Sequence, residues 1–74
     1  MTQVPTVKPD RLITYLNKKG FIEIRQTGSH IFFKHPNGKT TVVPFHKGRD
    51  ISRGLLRSIL NDCDITIQEF IKKK

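Results

Sequence analysis

The 74-residue chain has a single cysteine, Cys63, so it can form no internal disulfide. No apolar run is long enough to span a bilayer, and the opening MTQVPTVKPD lacks the apolar core of a signal peptide. A cytoplasmic chain with no membrane partner is the expectation. His30, His35, His46 and Cys63 are spaced five, eleven and seventeen apart, which fits neither a closed zinc pattern nor a pair on one helix face. No glycine run of P-loop type occurs, and no serine stands in a nucleophile elbow. The few carboxylates are not paired as metal-ion phosphoryl chemistry requires. Neither a metal nor any other cofactor is expected.

Acidic residues are also scarce: six Asp and Glu face fourteen Lys and Arg, a net charge of +8. Lys8 to Arg57 holds eleven basic and three acidic residues, and so carries the whole excess. From Ser58 onward, three acids balance three terminal lysines. A basic surface of this kind favours a polyanion, most often nucleic acid, through counterion release. At this length the chain holds one domain with a modest core.

What the chain does have is centred on Arg25 to His46. Ile31, Phe32 and Phe33, then Thr40 to Val43, suit a pleated surface. Between them His35-Pro36-Asn37-Gly38-Lys39 signals a hairpin, with Asn37 and Gly38 both tolerating the positive φ of a primed turn. Alternation puts Ile31 and Phe33 on a core face, and His30, Phe32 and Lys34 together on an open one. Thr27-Gly28 turns into this hairpin; glycine there allows a ligand's close approach. Ser29 is equally suited to bonding a phosphate or to stabilising the turn.

The flanking elements follow from their punctuation. Residues 1–7 read as a flexible lead-in. Pro9 to Lys19 is an amphipathic helix with Pro9 in its first turn, Leu12, Ile13 and Leu16 in its stripe, and Gly20 as its stop. Tyr15 belongs at the stripe's edge with its hydroxyl solvated. Phe21 to Gln26 alternates as a half-buried strand, Ile22 and Ile24 on one face. Pro44 to Asp50 is a basic loop containing Lys47 and Arg49. Ser52 caps a helix with Leu55, Leu56, Ile59, Leu60 and Cys63 as its stripe, and Arg53 lies near its N–H groups, a candidate phosphate position. Thr66 and Glu69 form a capping box, with Ile65 and Phe70 as staple, for a short last helix frayed at 72–74. The order α-β-β-β-α-α implies an α+β fold: a three-stranded antiparallel sheet with helices on one face.

Histidine on a basic sheet suits RNA cleavage without a metal, because the 2′-hydroxyl is an internal nucleophile. An imidazole can take its proton or protonate the leaving oxygen, while cations stabilise charge developing on phosphorus. Arg25 and Lys34 are the first candidates for phosphate contacts, Lys47, Arg49 and Arg53 the second. His46 is a candidate second acid or base, and His35, on the opposite alternation face from His30, reads as structural.

Gly20-Phe21, Arg25-Gln26-Thr27-Gly28-Ser29-His30, His35-Pro36 with Gly38, Val43-Pro44 with His46, Leu55 to Leu60, and Glu69-Phe70 together resemble the HicA toxin family. The resemblance spans about Leu12 to Phe70. It implies a fold like the double-stranded-RNA-binding domain and an mRNA interferase that halts translation. It also implies neutralisation by a HicB-type antitoxin covering the basic face, and a catalytic histidine at the Gly-Ser-His position, His30. Residues 1–7 extend beyond the family's usual start. The RNA-binding set is then Gly28, Ser29, Arg25, Lys34, Phe32, Lys47, Arg49 and Arg53. The alternative is a non-catalytic RNA-binding module on the same fold, although Ser52-Arg53-Gly54 is a poor match to the lysine cluster such domains place at their last long helix. A third reading, a basic face for an acidic protein, overlaps with the first.

Overall fold

Residues 6–46 and 48–72 are described by a computed structural model of the chain. Helix α1 covers Pro9–Lys18. Its N-cap, Lys8, is extended, as the residue before a proline must be. The helix ends as its sequence dictates. Gly20 adopts φ +97, its N–H bonds Asn17 O at 3.1 Å, and the Phe21 N–H bonds Leu16 O at 3.0 Å. These two bonds make a Schellman motif, and the buried Phe21 and Leu16 supply its apolar contact.

Three strands follow: β1, Ile22–Thr27; β2, His30–Lys34; and β3, Thr40–Pro44. They form an antiparallel sheet in the order β1-β2-β3. Helix α2, Arg53–Asp62, and helix α3, Ile67–Lys72, complete the α+β fold. Helices α1 and α2 both contact β3. On that side Ile31, Phe33, Thr41 and Val43 are buried, with Leu12 and Leu16 of α1, Leu56, Ile59 and Leu60 of α2, and Phe70 of α3. Among the described residues, no helix covers the opposite face of the sheet. Burial along β2 is therefore exposed-buried-intermediate-buried-exposed, the alternation its sequence predicts.

Capping follows the sequence, with one added partner. The Ser52 hydroxyl accepts from the Leu55 N–H, and the Thr66 hydroxyl accepts from the Glu69 N–H at 3.0 Å. The Glu69 carboxylate completes the capping box by taking a backbone hydrogen bond from Thr66, and it also accepts a hydrogen bond from the Lys19 ammonium at the end of α1. That hydrogen bond holds the Glu69 carboxyl below its ordinary range.

Four expectations need correction. Strand β1 is exposed along its whole length, with Ile22 60% and Ile24 56% accessible. It is an edge strand beyond the helices' cover, and its register slips between Glu23 and Arg25, which breaks the simple alternation. The β2–β3 turn is not a two-residue primed turn: Gly38 has φ +99 but Asn37 is not left-handed. Instead Gly38 N–H bonds His35 O, and His35 N–H bonds Lys39 O, both at 2.8 Å. Pro36-Asn37-Gly38 thus form a three-residue loop with glycine at the left-handed position. Tyr15 is buried, and its hydroxyl has no hydrogen-bond partner among the described residues. Its ring packs edge-on against Phe70 at 4.8 Å. Finally, Val7 is buried and bridges Ile51 through bonds of 3.3 and 2.7 Å, so the lead-in is anchored at its last residue. Residues 1–5 and 73–74 lie outside the described residues.

Candidate functional site

The uncovered face of the sheet collects Arg25, His30, Phe32 and Lys34 of the residues singled out by sequence. His30 opens β2 directly after a two-residue turn, Gly28-Ser29, in which Gly28 takes φ +58. A left-handed first turn residue is what a tight hairpin of this length requires, and glycine provides it without strain. A Cβ added at Gly28 would meet nothing within 4 Å, so the turn's outer side is open to a ligand. The Ser29 carbonyl accepts from the Phe45 N–H at 2.6 Å, which ties the turn to the end of β3.

Across the ladder, His30 pairs with Thr27 on one side and Pro44 on the other. Its ring is exposed, and none of the hydrogen bonds found among the described residues engages it. Two residues on, Phe32 pairs with Arg25 and Val42. The Arg25 guanidinium lies over the Phe32 ring, 4.6 Å from its centroid, within cation–π range. Phe32 is half-buried. Lys34, exposed, continues the face opposite Ile22 and Thr40. An imidazole, a guanidinium stacked on an aromatic ring, and an ammonium therefore share one side of the sheet.

His35 stands apart. Its Nδ1 accepts from the Asn37 N–H at 3.0 Å and its Nε2 lies 3.1 Å from Lys19 O. Because Nδ1 accepts, Nε2 must carry the proton and donate, which fixes the neutral tautomer. The ring also packs against Phe21 at 4.9 Å between centroids. Both nitrogens are occupied by backbone, as expected for a structural histidine.

Residue 9 to residue 65 of the chain match the family described as the HicA toxin of bacterial toxin–antitoxin. The chain belongs to the HicA toxin family. No curated protein matches it.

In this HicA toxin the second tier of basic residues forms a separate group. His46 and Arg49 sit in the β3–α2 loop, where the Arg49 N–H bonds His46 O at 3.0 Å. Arg53 is exposed in the first turn of α2. Pro44, His46, Arg49, Asp50, Ser52 and Leu55 line a shallow groove of about 170 Å³ beside that helix start. Pro44 belongs to both regions, since it is also the cross-strand partner of His30. Lys47 lies outside the described residues. No group of three or more His, Cys, Asp or Glu is placed to hold a metal among the described residues.

Sequence reasoning missed two participants of this face. Thr27 and Pro44 flank His30, and nothing short of the strand register reveals them. Arg25 and Phe32 were both singled out, but not their stacking, which depends on the slip at Glu23. Without that extra residue Arg25 would fall on the other face.

Proposed function

We propose that this HicA toxin is an endoribonuclease that cleaves mRNA, with His30 as its catalytic residue. The observation that carries the reading is the company His30 keeps: an exposed imidazole on a helix-free sheet face, beside a turn with room for a backbone phosphate and two cations on the same side. In this mechanism RNA lies across the open face with its phosphates near Gly28, Ser29, Arg25 and Lys34. A neutral His30 takes the proton of a 2′-hydroxyl, and that oxygen attacks the adjacent phosphorus. The bond from phosphorus to the 5′-oxygen breaks, and that oxygen is protonated by His46 or by water. The products are a 2′,3′-cyclic phosphate and a free 5′-hydroxyl. Arg25 and Lys34 offset the charge that builds on the phosphoryl oxygens. Phe32 with its stacked Arg25 offers a platform for an unpaired base, and Arg49 and Arg53 extend the basic track.

The mechanism is tested with an oligoribonucleotide bearing a single 2′-deoxy sugar at the cut position. Cleavage stops there if the 2′-oxygen is the nucleophile; continued cleavage at the substituted position sinks the mechanism. One observation favours the alternative, a non-catalytic RNA-binding module. Catalytic bases are commonly oriented by a third group, and none among the described residues holds His30. RNA bound but left intact is the outcome of that alternative. In either case the protein partner is a HicB-type antitoxin that covers the basic face in the cytoplasm.

A further inference from the structure

The open face is chemically uneven. Its His30 end is polar and basic, whereas its far end and edge carry Ile22 and Ile24, more than half accessible. Among the described residues only one other large hydrophobic side chain is comparably exposed, Ile71 of α3 at 38%. Single exposed apolar residues need no explanation, but two on one short edge strand form the start of a patch. Ile22 pairs with Lys34, and Arg25 follows Ile24 in sequence, so the patch is rimmed by positive charge. Glu23 is the strand's one acid.

Three occupants can be compared on chemistry. RNA gains little from two aliphatic side chains, because bases recognise planar faces and phosphates recognise cations. A second copy of the chain carries the same +8 and would bring Lys34 and Arg25 against their like. An acidic protein surface with apolar residues at its centre satisfies both the isoleucines and the cationic rim. The slip in register at Glu23 argues further that this partner docks with side chains and does not simply add a strand, because a bulge interrupts the edge ladder.

We infer that Ile22 and Ile24 are the apolar anchor on which the acidic antitoxin protein seats, with Lys34 and Arg25 as the charged rim. The inference rests on the toxin–antitoxin reading above and places the antitoxin's anchor at the opposite end of the open face from His30. A partner seated there reaches across Arg25 and Phe32, so it blocks RNA without needing to grip the histidine. Anchoring and cleavage are thereby separable by mutation.

The test uses the purified product of the adjoining reading frame as the probe, with Ile22→Ser/Ile24→Ser, Ile24→Ser alone and Ile71→Ser as variants. Each variant is first shown to melt cooperatively; both isoleucines of β1 are exposed, so the fold does not depend on their burial. The expected result is binding by the wild-type chain, the same affinity for Ile71→Ser, a measurable weakening for Ile24→Ser and at least tenfold weakening for the double variant. RNA cleavage by the double variant stays at the wild-type rate. Unchanged affinity of the double variant, or no binding by the wild-type chain, overturns the inference. Should the binding pattern appear while the wild-type chain cleaves no RNA, the anchor stands and the nuclease reading falls.

Discussion

Nε2 of His35 lies 3.1 Å from the carbonyl oxygen of Lys19, so the turn of the β2–β3 hairpin is pinned to the end of α1. The two histidines of the hairpin thus do opposite work: His35 faces the fold and His30 faces outward. His35→Ala should lower stability by about 1–3 kcal/mol, since it removes both ring hydrogen bonds and the packing on Phe21. Thermal melting measures that loss. Cleavage per folded molecule should be unchanged, and a loss of activity without loss of stability would reassign His35 to the reaction.

The two long helices end in the same motif with different residues at the left-handed position. After α1 it is Gly20; after α2 it is Asp64 at φ +63, where the Asp64 N–H bonds Asn61 O and the Ile65 N–H bonds Leu60 O. A non-glycine residue in that region is strained by about 1–2 kcal/mol. Asp64→Gly should therefore stabilise the fold by about 1 kcal/mol, which for a domain of this size raises Tm by roughly 4–8 °C. Gly20→Ala should do the reverse and by more. Its Cβ would sit 2.9 Å from His35 Nε2 in addition to the backbone strain.

Cys63 is buried at the end of α2, and burial, reinforced by the Asp62 carboxylate, pushes its thiol up to about 11. The thiol stays protonated through the physiological range, so its reaction with a thiol-specific disulfide reagent should be slow in the native state and fast after unfolding. The sign for stability follows from the raised value. Below pH 9, the ordinary value, both folded and unfolded chains carry the neutral thiol. As the pH rises from 9 toward 11 only the unfolded chain ionises freely, so this group contributes a loss of stability over that window. Comparing urea midpoints of the wild type and Cys63→Ala from pH 8 to about 11 checks it: the variant should show the smaller alkaline decline.

In the proposed reaction Phe32 and Arg25 bind RNA and transfer no proton. Phe32→Ala and Arg25→Ala should each raise KM for RNA by roughly fivefold to a hundredfold, the range of about 1–3 kcal/mol for one stacked base. The value of kcat should change far less. Arg25→Ala, Lys34→Ala and Arg53→Ala should also flatten the salt dependence of binding, whereas Phe32→Ala should not. Unchanged KM in both Phe32→Ala and Arg25→Ala would remove the platform.

Much of this architecture is legible in the residues alone, for local reasons. Ile31 and Phe33 alternate with His30, Phe32 and Lys34, and a strand with one covered face must sort them as observed. Pro9, Gly20, Ser52 and Thr66 mark helix ends because each solves a backbone problem within four residues of itself. What was not legible depends on contacts far apart in the chain. FIEIRQ alternates like a half-buried strand, and only the placement of α1 and α2 over β3 leaves Ile22 and Ile24 in solvent. Val7 finds Ile51 through a single bridge that no local pattern announces. Asn37-Gly38 signalled a turn correctly, but the bond from His35 N–H to Lys39 O set the loop one residue longer than that pair suggests. On the open face, the exposure of His30 was legible from alternation, while its neighbours Thr27 and Pro44 and the stacking of Arg25 on Phe32 required the register.

The central claim is that His30 performs the chemistry, and it is tested most directly by incubating a mixed-sequence RNA with the intact protein and with His30→Ala, both in EDTA. Circular dichroism first establishes that the variant is folded, as an exposed side chain with no hydrogen-bond partner among the described residues leads one to expect. The expected result is cleavage by the intact protein and none by the variant, which still binds the RNA. Equal cleavage by both proteins, or RNA bound and uncut by both, would contradict the account.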